Sequence, residues 1–297
     1  MGDQDLIERF LSGDVRALSK LISVVEDGDD SPLHEISEIT GDKNDMGGRS
    51  LTIGITGSPG SGKSTLIGQI AEICDMRVGI IAIDPSSPSS GGALLGDRLR
   101  MFSSNAYIRS VSSRGGGSIS KRTYEIARLL ELFGMELILI ETVGSGQGEV
   151  GIAEIADFVL LVITPESGDE IQYLKSGIME LADVIALNKC DLDGWEKTYT
   201  YLKSWFPDTG IIKTKGVLSD GIYELLSSIN EKAAELRKSG DLDKRRRKRT
   251  KSWISERIRR ELIDGLMYEK REEIEELAEK VASGELSSRI AIEVVRR

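Results

Sequence analysis

The sequence contains little of what several protein classes require. Two cysteines, Cys74 and Cys190, are too few for a disulfide framework and fit a reduced cytoplasm. A single histidine, His34, argues against a metal site built from imidazole and thiolate ligands. No apolar run approaches the ~18 residues that span a bilayer, and the acidic first residues predict no signal peptide. We therefore expect a cytoplasmic protein without a membrane partner.

Charge and size narrow the classes further. The 297 residues carry a formal net charge of -10 and a pI of ≈ 5.0, which argues against nucleic acid as the main partner. A hydrophobic content of 39% is enough for a substantial core. The length suggests one sizeable domain with appendages.

A glycine-rich segment indicates the class of ligand. Residues 57–64 read G-S-P-G-S-G-K-S, a complete G-x-x-x-x-G-K-S motif between a strand-like run and a helical pattern. Such a P-loop directs backbone N–H groups and a lysine at phosphates, and its serine hydroxyl at Mg²⁺. The alternative is a Gly/Ser-rich turn without a ligand. The predicted nucleotide contacts are Gly57, Ser58, Pro59, Gly60, Ser61, Gly62, Lys63, Ser64 and Thr65.

A second motif indicates the base. Asn188-Lys189-Cys190-Asp191 follows another apolar run, and a carboxylate at Asp191 suits the N1–H and amino donors of guanine. Adenine would leave that carboxylate without a partner. An N-K-x-D segment alone is also an ordinary strand-exit turn. Behind a P-loop, it predicts GTP and GDP as ligands, bound through Asn188, Lys189 and Asp191.

Acidic residues complete the predicted site. Asp84 and Glu141 each follow a strand-like run, and Asp97 lies in a glycine-containing segment. Phosphoryl transfer needs Mg²⁺ and a positioned water, so we predict that these acids serve metal and catalysis with Lys63 and Ser64. A turn-forming Asp or a helix N-cap is the alternative at each position. Gly144 is predicted to donate its N–H to the γ-phosphate.

The pattern of apolar runs predicts an α/β fold. Runs at 51–56, 78–83, 137–140, 158–163, 184–187 and 210–212 read as strands buried on both faces, hence a mostly parallel sheet covered by helices. We assign residues 1–46 to an N-terminal helical segment with two helices in 3–26, and 47–235 to a P-loop domain. Residues 236–297 form a C-terminal helical arm, with helical patterns at 252–281 and 285–295.

The arm is charged and poor in apolar residues. Its basic cluster at 244–249 is either a patch for nucleic acid or an acidic partner, or the solvated face or start of a helix. The acidic charge of the whole chain favours the second alternative. A narrow apolar stripe that includes Ile254, Ile258, Leu262 and Leu266 cannot be buried by the arm alone. We therefore expect the arm to hold a homodimer.

These motifs together resemble the methylmalonyl-CoA mutase-associated GTPases, the MeaB or ArgK family. The resemblance covers nearly the whole chain. It is carried by segments that include A-I-D-P-S-S at 82–87, L-G-D-R at 95–98, E-T-V-G at 141–144, G-D-E-I-Q at 168–172, K-S-G-I at 175–178 and N-K-C-D at 188–191.

The resemblance implies a homodimeric GTPase with low intrinsic activity that serves an adenosylcobalamin-dependent acyl-CoA mutase. It would gate cofactor loading and protect the mutase without binding cobalamin itself. The family pattern gives Asp84, Asp97 and Glu141 to Mg²⁺ and hydrolysis. The loop at 165–177, with Asp169 and Lys175, would be a switch that communicates with the mutase.

The sequence departs from the family at one point. A Ser-Ala pair usually backs the guanine, whereas this chain has Lys215-Gly216, so we predict that Lys215 stacks on the base. Three other functions remain open: a kinase or ATPase of the ArgK type linked to amino-acid transport, a GTP-dependent metal-insertion factor, and a nucleotide-bound scaffold without turnover. The lack of a Cys/His cluster argues against nickel delivery.

Overall fold

The protein is described in a computed structural model over residues 3–41, 50–84, 106–112, 121–142, 151–165 and 179–295. The chain divides into two compact units, Met1–Arg245 and Arg246–Arg297. In the described ranges no helix combines the length and apolarity needed to cross a membrane.

The first unit is built on a seven-stranded sheet whose order is β3-β2-β4-β1-β5-β6-β7, with every neighbouring pair parallel. The inner strands β1, β4, β5 and β6 are buried along their whole length, which explains their unbroken apolar sequences. The predicted parallel α/β sheet is confirmed. The strands are β1 Leu51–Thr56, β2 Val78–Asp84, β3 Ala106–Ser112, β4 Leu137–Glu141, β5 Phe158–Ile163, β6 Val184–Leu187 and β7 Gly210–Lys213.

Helices precede, connect and follow these strands. In the first unit they are α1 Asp3–Leu11, α2 Val15–Asp27, α3 Ser31–Thr40, α4 Lys63–Ile73, α5 Lys121–Leu132, α6 Ile152–Ile155, α7 Trp195–Trp205 and α8 Ile222–Ser239. α9 Asp241–Glu269 begins in the first unit, and α10 Arg271–Ala282 and α11 Ser288–Val295 follow it. Two 3-10 helices span Met179–Leu181 and Gly216–Leu218.

The core lies on both faces of the sheet. On one face, α4 and α8 bury Leu66, Ile70 and Leu225 against β1, β4 and β5. On the other face, α2 and α5 pack against β2 and β4, and α7 packs against β6 and β7. Each fully buried Leu or Ile contributes about 1.5–3 kcal/mol, so the covering helices hold the strand ends in fixed positions.

Polar contacts are made at both ends of α2. Asp14 caps α2 by accepting from the N–H groups of Arg16 and Ala17, and Arg9 pairs with the same carboxylate at 2.6 Å. At the other end of α2, Arg122 of α5 donates to the carbonyl oxygens of Val25 and Glu26. The contacts of Arg122 join the extension to α5, which packs on the sheet.

An arginine near the start of α9 is bound at the amino-terminal edge of the sheet. Arg245 makes two hydrogen bonds of 2.8 Å to the two carboxylate oxygens of Asp183, and a third of 3.1 Å to the carbonyl oxygen of Asp157. The Asp183 carboxylate also accepts from the N–H of Val159 at 2.9 Å. One member of the basic cluster therefore has a structural partner in the first unit.

Three elements differ from the sequence-based expectation. β3 was not expected, and it forms the edge of the sheet beside β2. A third N-terminal helix, α3, follows the two predicted ones. The single helical pattern expected at 252–281 is two helices that meet at Lys270, and the first begins at Asp241.

The second unit consists of the rest of α9 with α10 and α11, and the two short helices contact each other. Among the described residues of this unit, one apolar side chain, that of Leu277, is buried. Several apolar side chains of α9 are exposed there, among them Ile254, Ile258, Leu262, Ile263 and Met267.

Candidate nucleotide-binding site

The P-loop lies at the carboxyl end of β1, and two of its glycines have no room for a side chain. Gly57 has a φ of 140°, and a Cβ there would lie 2.1 Å from the carbonyl oxygen of Val162. Gly62 has a φ of 93°, and its Cβ would lie 2.3 Å from Nδ2 of Asn188. A side chain at either position would therefore push the loop away from β5 or from the N-K-x-D segment.

Lys63 is the first residue of α4 and is 5% exposed. Its Nζ donates to the carbonyl oxygens of Gly57 at 2.7 Å and Ser58 at 2.9 Å. The ammonium group is thereby held across the loop, at the positive end of the helix. A phosphate bound there would meet a positioned cation together with the backbone N–H groups of the helix start.

The remaining loop residues differ in exposure. Ser58 and Ser61 are buried, whereas Pro59, Gly60 and Thr65 are exposed. The hydroxyl of Ser61 is buried and has no hydrogen-bond partner among the described residues, while its carbonyl oxygen accepts from Asn188.

Ser64 and Glu141 come together although 77 residues separate them. The Ser64 hydroxyl donates to Oε1 of Glu141 at 2.6 Å, and Glu141 is the last residue of β4. A hydroxyl and a carboxylate are the hard oxygen ligands that Mg²⁺ takes beside phosphates. The pair fits the predicted magnesium site. Over the residues that the structure describes, no group of three or more His, Cys, Asp or Glu side chains could hold a metal.

The position of Asp84, the other predicted acid at a strand end, follows from the pairing of its strand. Asp84 is the last residue of β2, and β2 pairs with β4 so that Ala82 lies beside Glu141. Its backbone therefore lies at the same edge of the sheet as Glu141. Asp97, Gly144, Asp169 and Lys175 lie outside the described residues.

Asn188 connects the P-loop with the loop after β7. Its Nδ2 donates to the carbonyl oxygen of Ser61 at 2.8 Å. Its Oδ1 accepts from Thr214 Oγ1 at 3.1 Å and from the Gly216 N–H at 3.0 Å. These protein contacts occupy both ends of the amide, so Asn188 holds two loops together.

The rest of the N-K-x-D segment turns at the end of β6. Lys189 adopts a φ of 59°, a left-handed conformation that is uncommon for residues other than glycine, and Asp191 is exposed. The thiol of Cys190 donates to the carbonyl oxygen of Leu187 at 3.1 Å, and burial raises its pKa. The turn leaves the Asp191 carboxylate accessible to a base.

Lys215 forms an ion pair in the loop after β7. Its Nζ lies 2.7 Å from Oδ2 of Asp220, and its backbone N–H donates to the carbonyl oxygen of the same residue at 2.9 Å. The hydrogen bond to Asp220 raises the pKa of Lys215, and the same contact lowers the pKa of Asp220. Sequence reasoning did not identify Asp220, because nothing in the sequence marks an aspartate five residues away as the partner.

A further contact joins the same loop to α4. The Ser219 hydroxyl donates to Oε1 of Gln69, and Ser219 has a φ of 55°. Gln69 lies in the helix that begins with Lys63, and no motif includes it. The described site is thus one assembly of the P-loop, the ends of β4 and β6, and the loop after β7.

Comparison with known proteins identifies the family to which this chain is similar. Residues 18–271 match the sequence profile of the family described as methylmalonyl Co-A mutase-associated GTPase MeaB. A protein of Pyrococcus abyssi whose name assigns it to the GTPases is 36% identical over 98% of this chain and 95% of its own length. A mitochondrial methylmalonic aciduria type A homolog of Caenorhabditis elegans is 31% identical over 99% of this chain and 82% of its own.

A solved structure shows a similar arrangement. The crystal structure of a LAO/AO transport system kinase matches 99% of this chain and 96% of its own, with a TM-score of 0.68 and 25% sequence identity.

Proposed function

Because this chain belongs to the MeaB family of methylmalonyl-CoA mutase-associated GTPases and is a GTP-hydrolysing enzyme, we propose that it is a chaperone of an adenosylcobalamin-dependent acyl-CoA mutase. In this role the protein gates loading of the cofactor into the mutase according to the bound nucleotide, and it protects the mutase. The observation that carries the proposal is the family match over residues 18–271, which includes both nucleotide motifs and the segment 165–177 between them.

The chemistry of hydrolysis is assigned to residues at one edge of the sheet. Lys63 neutralises charge that develops on the phosphoryl group, and Asp191 accepts hydrogen bonds from guanine. Ser64 and Glu141, with Asp84 and Asp97, hold Mg²⁺, which when bound neutralises phosphate charge. Gly144 contacts the γ-phosphate, so the segment that begins at Glu141 responds to its loss.

Communication with the mutase is assigned to the segment at 165–177. It follows β5, whose neighbour β1 leads into the P-loop. The segment is charged and contains glycine, and Asp169 and Lys175 are the charged residues that we assign to the response to GTP and GDP. The alternative is an inert surface connection.

We infer that the protein is a homodimer held by the arm at 236–297. It acts in the cytoplasm, and neither nucleic acid nor a membrane is its partner. The arm offers exposed apolar side chains on α9, and the net charge of -10 disfavours polyanions.

The test measures GTP hydrolysis by the full-length protein with and without a methylmalonyl-CoA mutase. We expect slow hydrolysis alone and a faster rate with the mutase. Lys175→Ala should keep the rate without mutase and lose most of the increase, whereas Lys197→Ala, an exposed lysine on α7, should keep both. A rate that the mutase leaves unchanged would contradict the chaperone role, and normal stimulation of Lys175→Ala would remove only the assignment of the segment.

A second candidate is a kinase, which the name of the structural relative at 25% identity favours. A kinase would move the γ-phosphate of a labelled nucleotide to a protein or small-molecule acceptor, whereas a GTPase releases it as phosphate. Incubation with γ-labelled GTP and mutase, followed by separation of labelled products, distinguishes the two. Label found only in inorganic phosphate would exclude the kinase.

A further inference from the structure

The loop after β7 is closed by two contacts between Lys215 and Asp220, and we call this pair of residues its neck. The Lys215 N–H donates to the Asp220 carbonyl oxygen at 2.9 Å, which makes an isolated antiparallel bridge. The two side chains also form an ion pair at 2.7 Å. The residues between them, 216–219, are therefore held as a short closed loop, which we call the base loop.

The base loop is connected to the rest of the site on two sides. Its Gly216 N–H donates to Asn188, which in turn donates to the carbonyl oxygen of Ser61 in the P-loop. Ser219 donates to Gln69 of α4. A change in the neck thus reaches the N-K-x-D segment and the P-loop through described hydrogen bonds.

We propose that Asp220 is a positioning residue for guanine binding, which acts through Lys215 by closing the neck of the base loop and slowing nucleotide release. This inference rests on the proposed placement of guanine between the Asn188–Asp191 segment and the base loop. It changes the expected role of Lys215: the ammonium group holds Asp220 and does not stack on the base.

The setting of the ion pair determines how large its effect is. The side chains are 35% and 60% exposed, and both line a pocket of ≈ 530 Å³ on the β7 side of the loop, with Cys190 and Trp195. The opposite pKa shifts of the two groups agree with a pair that is charged at neutral pH. An exposed pair contributes modestly and is screened by salt, so its loss should speed nucleotide release about two- to fivefold.

The experiment measures the dissociation rate of fluorescently labelled GDP from the full-length protein, chased with unlabelled GDP. Asp220→Asn and Lys215→Met should each speed release about two- to fivefold, and the double variant should be no faster than either. The exchanged pair, Lys215→Asp with Asp220→Lys, should recover part of the slow rate. Added KCl should speed release from the wild type more than from Lys215→Met.

A matched control separates this effect from general loss of an ion pair. Lys232 and Glu235 form an exposed pair at 2.9 Å on α8, and Glu235→Gln should leave the release rate unchanged. Thermal melting of each variant checks that the fold is kept. If Lys215→Met speeds release and Asp220→Asn does not, the lysine contacts the nucleotide directly and the proposal is wrong. Unchanged release in both variants also overturns it.

A separate measurement tests the proposed placement of guanine. Asp191→Asn should shift preference from guanine to xanthine nucleotides, because it replaces an acceptor with a donor. A variant that keeps its preference for guanine contradicts the placement of the base and removes this inference with it. A shift to xanthine combined with an unaffected Asp220→Asn leaves the site in place and overturns the neck alone.

Discussion

Among single residues, Ser61 buries a hydroxyl inside the P-loop. The side chain is 1% exposed, and its Oγ has no hydrogen-bond partner in the described part of the chain. A buried hydroxyl without a partner costs about 1–3 kcal/mol. We therefore expect Ser61→Ala to raise the free energy of unfolding by about 1 kcal/mol, measured by urea denaturation without nucleotide.

A second hydroxyl nearby provides the matched control. Thr56 is buried at the end of β1, and its Oγ1 accepts from Thr142 Oγ1 at 3.1 Å. Thr56→Val would leave the Thr142 hydroxyl buried without this acceptor, so we expect a loss of about 1–2 kcal/mol. Destabilisation by Ser61→Ala of the same size would show that the Ser61 hydroxyl is hydrogen-bonded in solution.

Lys63 tests catalysis at the residue scale. Its ammonium group is held by two loop carbonyls, so it is positioned before a phosphate arrives. Such preorganised contacts typically lower the barrier by about 3–4 kcal/mol. Lys63→Ala should slow GTP hydrolysis about 10²- to 10³-fold in a phosphate-release assay, and Lys197→Ala should not. Wild-type turnover in Lys63→Ala would disprove its role.

At the scale of elements, α2 depends on a charged cap. The hydrogen bond from Arg9, followed by that from the Arg16 N–H, lowers the pKa of Asp14. Folding therefore favours the carboxylate, and its stabilisation is present above the pKa of the unfolded carboxyl. That stabilisation is lost as the pH falls through the lower pKa of the folded protein.

The expected result is a pH-dependent defect. Asp14→Ala should lower the Tm at pH 7, and the difference from the wild type should shrink as the solution is acidified through the range where Asp14 is protonated. Circular dichroism melts over that range measure it, with Asp5→Ala, an exposed carboxylate on α1, as the control. A difference that stays constant with pH would mean that the cap does not act through its charge.

The elements also show what a sequence can predict. β5 was identifiable because both of its faces are buried, which requires an unbroken apolar run. β3 lies at the edge, and Tyr107 and Arg109 face α2, where they contact Ser19 and Glu26. Polar residues with long-range partners interrupt its apolar pattern, so nothing local marks it as a strand. Lys270, where one expected helix becomes two, is likewise not marked by glycine or proline.

In the candidate site, too, the local motifs were predictable from the sequence and contacts that depend on packing were not. Spacing identified the P-loop and N-K-x-D, because their chemistry is local and the parallel sheet collects strand ends at one edge. The pairing of Ser64 with Glu141 at that edge followed the same logic. The contacts of Lys215, Gln69 and Ser219 could not be found this way. The first depends on how the loop after β7 folds on itself, and the other two on how that loop packs against α4.

At the scale of the whole molecule, the proposed homodimer has a direct test. Ile254, Ile258, Leu262 and Leu266 repeat every four residues on α9 and are 37–69% exposed. Light scattering should give twice 32.5 kDa for the full-length protein. Ile258→Glu with Leu262→Glu should give one copy, and Lys251→Glu, on the same helix, should leave the mass unchanged.

Point variants are preferable to removing the arm at residue 235. Leu236 and Leu242 lie beyond that point and are buried in the core of the first unit, and Arg245 binds Asp183 there. A shortened chain would lose these contacts together with the arm. A full-length protein that is monomeric at the concentrations used would refute the dimer.

The amide of Asn188 has a consequence for how whole ligands compete. Its hydrogen bonds join the P-loop, which faces the phosphates, to the loop after β7, which faces the base. Contacts to the two ends of a nucleotide are therefore made by one connected site. For a ligand whose ends are covalently linked, the second contact is intramolecular and gains from a high effective concentration. Guanosine and pyrophosphate supplied as separate molecules would lack that advantage. An effective competitor must span both loops.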